Sequence, residues 1–263
     1  MKIPALVVAL ACSLATMTAQ TGPTLPSPGI NFGNMLEAPK EGAWGLTLKD
    51  EYFGIAAKAG FKTIRIPIRW SVRTSPKPPY AIDPAFLARV DRAVAGAKRE
   101  GLTAILDLHN YTELEENPDA NAARFIAIWK QIAEHYRDEP PSIVFELCNE
   151  PSKKLDAGRW NILIAGTLAA IRPSNPDRTV IVGPVGWNSI GKLPDLVLPE
   201  NDRNLLVTVH YYDPFHFTHQ KASWVEGSDA WAGTRWTGTD AEKAAVAADF
   251  AKAAAWGKEH GRP

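Results

Sequence analysis

The chain has 263 residues, enough for one large domain. Hydrophobic residues make up 45% and charged residues 22%, the usual balance of a soluble globular protein. Lys plus Arg and Asp plus Glu both number 29, so the charge balance makes no case for nucleic acid or an anionic membrane as partner.

Residues 1–20 read as a secretory signal. Lys2 gives a basic start, Leu6 to Ala15 an apolar run, and Thr16, Thr18 and Ala19 a small-residue cleavage region. The run is too short to anchor the chain in a bilayer. Export places the mature protein outside the cytoplasm, secreted and free of the membrane. Only Cys12 and Cys148 occur, so removal of the signal leaves one cysteine and no internal disulfide. No cluster has metal-ligand spacing.

Residues 21–28, Thr-Gly-Pro-Thr-Leu-Pro-Ser-Pro, are too proline-rich for a regular element and read as a linker or surface loop. The domain of residues 29–263 then alternates strand and helix signals. Strands are predicted at Gly29–Gly33, Thr63–Ile68, Thr103–Leu108, Ile143–Leu147, Thr179–Gly183 and Leu205–His210. Continuous apolar runs suit parallel strands buried on both faces. Thr47 and Asp50 open a predicted helix that ends at Gly60, and Asp83-Pro84 open one that stops near Gly101. Phe125, Ile128, Trp129, Ile132 and Tyr136 mark the buried face of another. Thr239 and Glu242 form a capping box for the last, which runs through Trp256 toward Gly261. Cys148 reads as an apolar packer at the end of a strand.

This alternation implies an α/β fold with a parallel sheet. A doubly wound sheet competes with a (β/α)8 barrel, but no glycine-rich turn follows the first strand. A barrel needs eight βα units and the count here is about six, so a C-terminally incomplete (β/α)8 (TIM) barrel is expected. Such an arc would leave its first and last strands with unpaired edges, and poor solubility or dependence on a missing partner is expected of it.

In such a barrel the chemistry sits just beyond the C-terminal ends of the strands. Those positions hold Arg65, Arg69 and Trp70 around strand two, and Asp107, His109 and Asn110 around strand three. Strand four leads into Asn149-Glu150-Pro151, and strand six into His210, Tyr211, Tyr212 and Asp213. Trp187 follows strand five.

The run Ile143-Val144-Phe145-Glu146-Leu147-Cys148-Asn149-Glu150-Pro151 resembles glycoside hydrolase family 5, the cellulase and mannanase family. Gly29 to Asn34, Arg65 to Trp70 and Leu106 to His109 extend the likeness. The segment His210 to Phe215, with Phe217 to Gln220 and Trp224, is similar to the bacterial endoglucanase branch. The resemblance implies a retaining, endo-acting hydrolase of β-1,4-linked polysaccharide, cellulose-like β-glucan first and mannan or glucomannan next. It implies no cofactor or metal, and a monomer when complete.

The resemblance makes Glu150 the general acid/base, with a pKa raised toward neutrality, and gives Asn149 the sugar 2-OH. Arg65 and Tyr212 would hold the nucleophile carboxylate, and His109 and His210 would position hydroxyls and carboxylates. Asn34, Glu37, Asn110, Trp187, His219 and Trp224 would line sugar subsites. Blander readings stand beside these: Arg65 paired with a structural carboxylate, His109 and Tyr212 in a core, Trp187 and Trp224 as packers. Glu37 could be a solvated loop charge, and Asn34 and His219 turn residues.

The family carries its nucleophile on strand seven, after a phrase like His260-Gly261-Arg262-Pro263, so this chain is expected to lack it. Asp213 is the nearest substitute by position and is set aside, because the family often has a polar residue there without catalytic duty. A noncatalytic carbohydrate-binding remnant is the alternative outside enzymes.

Overall fold

The computed structural model describes residues 22–263; the expected secretory signal lies outside the described residues. Six parallel strands form one sheet in the order β1-β2-β3-β4-β5-β6. They are β1 (Gly29–Asn31), β2 (Thr63–Ile68), β3 (Thr103–Leu108), β4 (Ile143–Glu146), β5 (Val180–Val182) and β6 (Leu205–Val207). Each strand pairs with its sequence neighbour, with registers such as Arg65 beside Ile105 and Asp107 beside Glu146. A doubly wound sheet reverses direction at a switch point and this order does not, so the arc is that of a (β/α) barrel.

The connecting helices are α1 (Glu51–Lys58), α2 (Pro84–Arg99), α3 (Thr112–Glu116), α4 (Pro118–His135) and α5 (Ala157–Ile171). The last helix is Asp240–His260. Side chains alternate along each strand. Ile64, Ile66, Leu106, Phe145 and Val180 belong to the main core shared with the helices. Ile105, Val144 and Ile181 form a separate apolar cluster on the inner face, with Leu25 and Leu206 packed against it. The proline-rich stretch, expected to be a linker or surface loop, is an irregular, mostly exposed segment with Leu25 against the sheet, and Thr63 Oγ1 donates to the Pro26 carbonyl at 2.6 Å.

Strands β2 and β3 have the bounds read from the sequence. The others end earlier than expected because pairing continues only as single bonds. Phe32 N donates to Arg65 O, Leu147 N to Ile181 O, and Thr208 N to Val182 O. Two buried indoles take over at this edge. Trp129 Nε1 donates to Leu147 O at 3.0 Å and Trp160 Nε1 to Gly183 O at 2.8 Å, tying the strand ends to α4 and α5.

The Asp83 cap of α2 and the Thr239–Glu242 capping box are present, and Gly261 closes the last helix in the left-handed region. The Thr47–Asp50 box is not. Asp50 stands at the N-cap of α1 without a side-chain cap, because its carboxylate pairs with Arg92 Nη2 at 3.2 Å. Among the described residues no helix is long and apolar enough to cross a membrane.

Helices α1 and α2 touch at Gly96. A Cβ there would fall 2.7 Å from two ring carbons of the fully buried Phe53. Gly96→Ala should therefore destabilise the domain by about 1–2 kcal/mol, overpacking outweighing the gain in helix propensity. Urea unfolding measures this.

Candidate active site

Three inward-pointing charges sit above the inner apolar cluster. Arg65 on β2 grips Glu146 on β4 through Nε and Nη2, both at 2.7 Å. Nη2 also lies 2.9 Å from Asp107 Oδ2 on β3, and donates to Asn149 Oδ1 at 2.9 Å. Nη1 donates to Asn31 Oδ1 on β1 at 3.1 Å. One planar fork thus ties four strands together. Glu146 and Asp107 are buried. Burial pushes the Glu146 carboxyl up, helped by Asp107 and opposed by Arg65. Burial lowers the proton affinity of Arg65, but the carboxylates of Asp107 and Glu146 outweigh it and keep the guanidinium charged.

Glu150 stands beyond β4 with φ 49°, a left-handed backbone uncommon for a residue with a side chain. Its Oε1 accepts from His210 Nδ1 and from Tyr212 Oη, both at 2.7 Å. Burial raises its pKa, but the hydrogen bonds from His210 and Tyr212, with His210 and His109 nearby, outweigh this. The carboxyl is held below its usual range. The raised value expected of a general acid is not found, because donors rather than a second carboxylate dominate its surroundings.

The expected residues separate by position. Asn149, Glu150, His210 and Tyr212 come together with Arg65 at the strand ends. Arg65 and Tyr212, assigned by resemblance to a nucleophile, are here engaged by Glu146 with Asp107 and by Glu150 respectively. His109 Nδ1 lies 2.5 Å from Asp107 Oδ2, which leaves Nε2 as its other polar atom. Glu37 is not a solvated charge. It is 4% exposed, and its carboxylate accepts the backbone N–H groups of Asn34 and Met35. Asn34 has φ 65° and shapes that turn. Asn110 has φ 56°, and its carbonyl accepts from Ser71 Oγ at 3.3 Å.

A cavity of about 1030 Å³ opens beside Glu150, lined by Trp187, His210, Tyr212, His219 and Trp224 among others. Trp187 is 57% exposed and Trp224 79%, so neither is a core packer. His219 stacks on Phe215 with centroids 4.0 Å apart. Flat aromatic faces around a carboxylic acid suit the apolar faces of sugar rings. Among the described residues no group of His, Cys, Asp and Glu could hold a metal ion.

Sequence reading passed over Glu146 and Asn188. Glu146 is visible by strand parity, as a charge at the inward position after Val144. Asn188, fully buried beside His210, has only its place after two residues of an unusual turn to mark it.

A family model described as Cellulase (glycosyl hydrolase family 5) matches residues 26–263. Endoglucanase H of Acetivibrio thermocellus is 37% identical over 224 residues, 85% of this chain and 24% of that protein. The chain therefore spans about a quarter of the length of that curated relative. A Thermotoga maritima Cel5A structure in complex with mannotriose superposes with TM-score 0.88 at 43% identity, covering 89% of this chain and 76% of the other. One of the same protein with cellobiose gives 0.88 at 44%, with the same coverage.

Two outcomes test the electrostatics. Arg65→Met strands Glu146 and Asp107 without their cation and should cost about 3–5 kcal/mol in urea unfolding. Tyr212→Phe removes a donor from Glu150 and should raise its titration midpoint, read by carboxyl ¹³C NMR. A depressed folded-state pKa stabilises the fold above the ordinary carboxylate pKa, and that contribution is lost as pH falls through the folded value. The variant should therefore be less stable than the wild type by about 1 kcal/mol at neutral pH, with the difference vanishing in acid.

Proposed function

From the premise that the chain belongs to glycosyl hydrolase family 5, we propose that its site serves retaining, endo-acting hydrolysis of β-1,4-linked polysaccharide. The observation that carries this is Glu150, held by His210 and Tyr212 at the edge of an aromatic-lined cavity. A carboxyl in that place can give its proton to a leaving glycosidic oxygen and later take one from water.

Retention also needs a second carboxylate about 5–5.5 Å from the first. In this reading that partner is the strand-seven glutamate implied by the family. The standing negative charge of that carboxylate would raise the proton affinity of Glu150 from the depressed value, which is what the acid step requires, and its neutralisation in the glycosyl-enzyme would free Glu150 to act as base. Asn149 keeps its amide nitrogen for a sugar hydroxyl, since its oxygen already accepts from Arg65. His109, with Nδ1 toward Asp107, offers Nε2 to another hydroxyl.

β-Glucan is the proposed first substrate and mannan or glucomannan the second. The aromatic platforms of Trp187 and Trp224 read ring faces, which these polymers share. Solved neighbours carry mannotriose and cellobiose in turn, which supports a site open to both. Export fits a polymeric substrate, and the basic start and apolar run of residues 1–20 support it.

The depressed pKa of Glu150 favours one competing reading, a sugar-binding site without turnover. Reducing-end release from soluble β-glucan, glucomannan, mannan and xylan by the full-length gene product, strand seven included, separates the two. Activity that falls about 10²–10⁴-fold in Glu150→Gln supports hydrolysis, with NMR of the first products showing retained configuration. Cello-oligosaccharide binding with no release from any polymer would replace it with the binding role.

A further inference from the structure

The segment that follows β5 is unusual. Gly186, Trp187 and Asn188 are successive left-handed residues, with φ 68°, 59° and 57°. A single non-glycine residue in this region costs about 1–2 kcal/mol, so two in a row call for a compensating role. The turn is clamped on both sides. Trp187 N donates to Pro151 O at 3.3 Å, next to Glu150, and Asn188 O accepts from His210 N at 2.9 Å. Its effect is to point two neighbouring side chains in opposite directions. The Trp187 ring is 57% exposed, while Asn188 is fully buried.

The buried Asn188 amide meets His210. Nδ2 lies 3.3 Å from His210 Nε2, and the opposite ring nitrogen, Nδ1, lies 2.7 Å from Glu150 Oε1. With Nδ2 toward the ring the amide donates, which makes Nε2 the acceptor and leaves the ring proton on Nδ1. Asn188 Oδ1 is buried with no partner, and a Cβ on Gly183 would fall 2.3 Å from it. The amide is therefore closely packed, and its position is fixed by the turn rather than by solvent. In the opposite orientation Oδ1 would face the ring and require Nε2–H.

We propose that Asn188 is a positioning residue for Glu150: its amide fixes the His210 ring in the tautomer that donates from Nδ1 to the carboxylate. The other ionisable groups facing Glu150 or His210 are Tyr212 beyond β6, His109 beyond β3, Arg65 on β2, Glu146 on β4 and Glu115 on α3. None of these hydrogen-bonds His210 Nε2, which the Asn188 amide meets from the β5 turn. Catalysis enters only through the reading of Glu150 given above, and the test does not depend on turnover.

Two substitutions suit a left-handed backbone. Asn188→Gly removes the amide and keeps the turn, and Asn188→Asp keeps the shape and replaces the donor with an acceptor. The full chain, labelled with ¹⁵N-histidine and ¹³C-glutamate, is observed by NMR at pH 8 and through an acid titration. His210→Gln and Glu150→Gln assign the signals. In the wild type His210 should carry its proton on Nδ1, with Nε2 bare. Asn188→Gly should give mixed tautomers and move the Glu150 midpoint up by about half a pH unit, toward the ordinary range. Asn188→Asp should put a proton on Nε2.

An Nε2–H ring in the wild type overturns the proposal, as does a ring and midpoint unchanged in Asn188→Gly. If near-UV circular dichroism shows that the glycine variant does not fold, Asn188→Asp decides, and a bare Nε2 there overturns it. Absence of polysaccharide hydrolysis by the full-length gene product, with these ring signals intact, would count against the enzyme reading alone.

Discussion

The site depends on a charge knot that stands beside an inner apolar cluster and faces the strand ends. Arg65 reaches Asn31, Asp107, Glu146 and Asn149, and so touches the first four strands or their immediate continuations. The guanidinium offsets the cost of burying two carboxylates side by side. In exchange, the knot fixes the strand ends relative to one another at the point where β4 hands over to Asn149 and Glu150.

Above the knot, the backbone does the aiming. Asn34, Asn110, Glu150, Trp187 and Asn188 all have positive φ, and all lie just past strand ends. A left-handed residue turns the chain sharply, so each strand can deliver a side chain over the rim and then leave for its helix. The same device that exposes Trp187 buries Asn188. Rigid anchors stand behind these turns: Trp129 and Trp160 hold the ends of β4 and β5 from outside the sheet. The tryptophans of this chain thus serve two tasks, structural clamps in the core and flat platforms at the cavity.

Much of this was legible in the sequence. The bounds of β2 and β3 followed from uninterrupted apolar runs, and the sequential strand order from the absence of a dinucleotide-type turn. The gathering of Glu150 with His210 and Tyr212 followed from reading polar residues after each run. What escaped was whatever a one-dimensional pattern cannot carry. Glu37 looks like any loop acid, and only the folded turn shows it holding two backbone N–H groups. Glu146 hid inside a run read as apolar. The proton balance of Glu150 also escaped, since it depends on how donors and burial compete in three dimensions. For the proline-rich residues before β1 the sequence left linker and surface loop both open, because composition reports stiffness and not destination.

The one-after-another strand order bears on how the molecule is made. Every strand finds its neighbour a single βα unit back along the chain, so pairing advances in the direction of synthesis without waiting for distant segments. Arg65 and Glu146 are separated by 81 residues, and all partners of the guanidinium precede Glu150. A growing polypeptide can therefore settle its internal charges soon after the fourth strand leaves the ribosome, before the histidine and tyrosine that will hold Glu150 have been translated. The foundation of the pocket is laid first, and its reactive edge is added to a base that is already set.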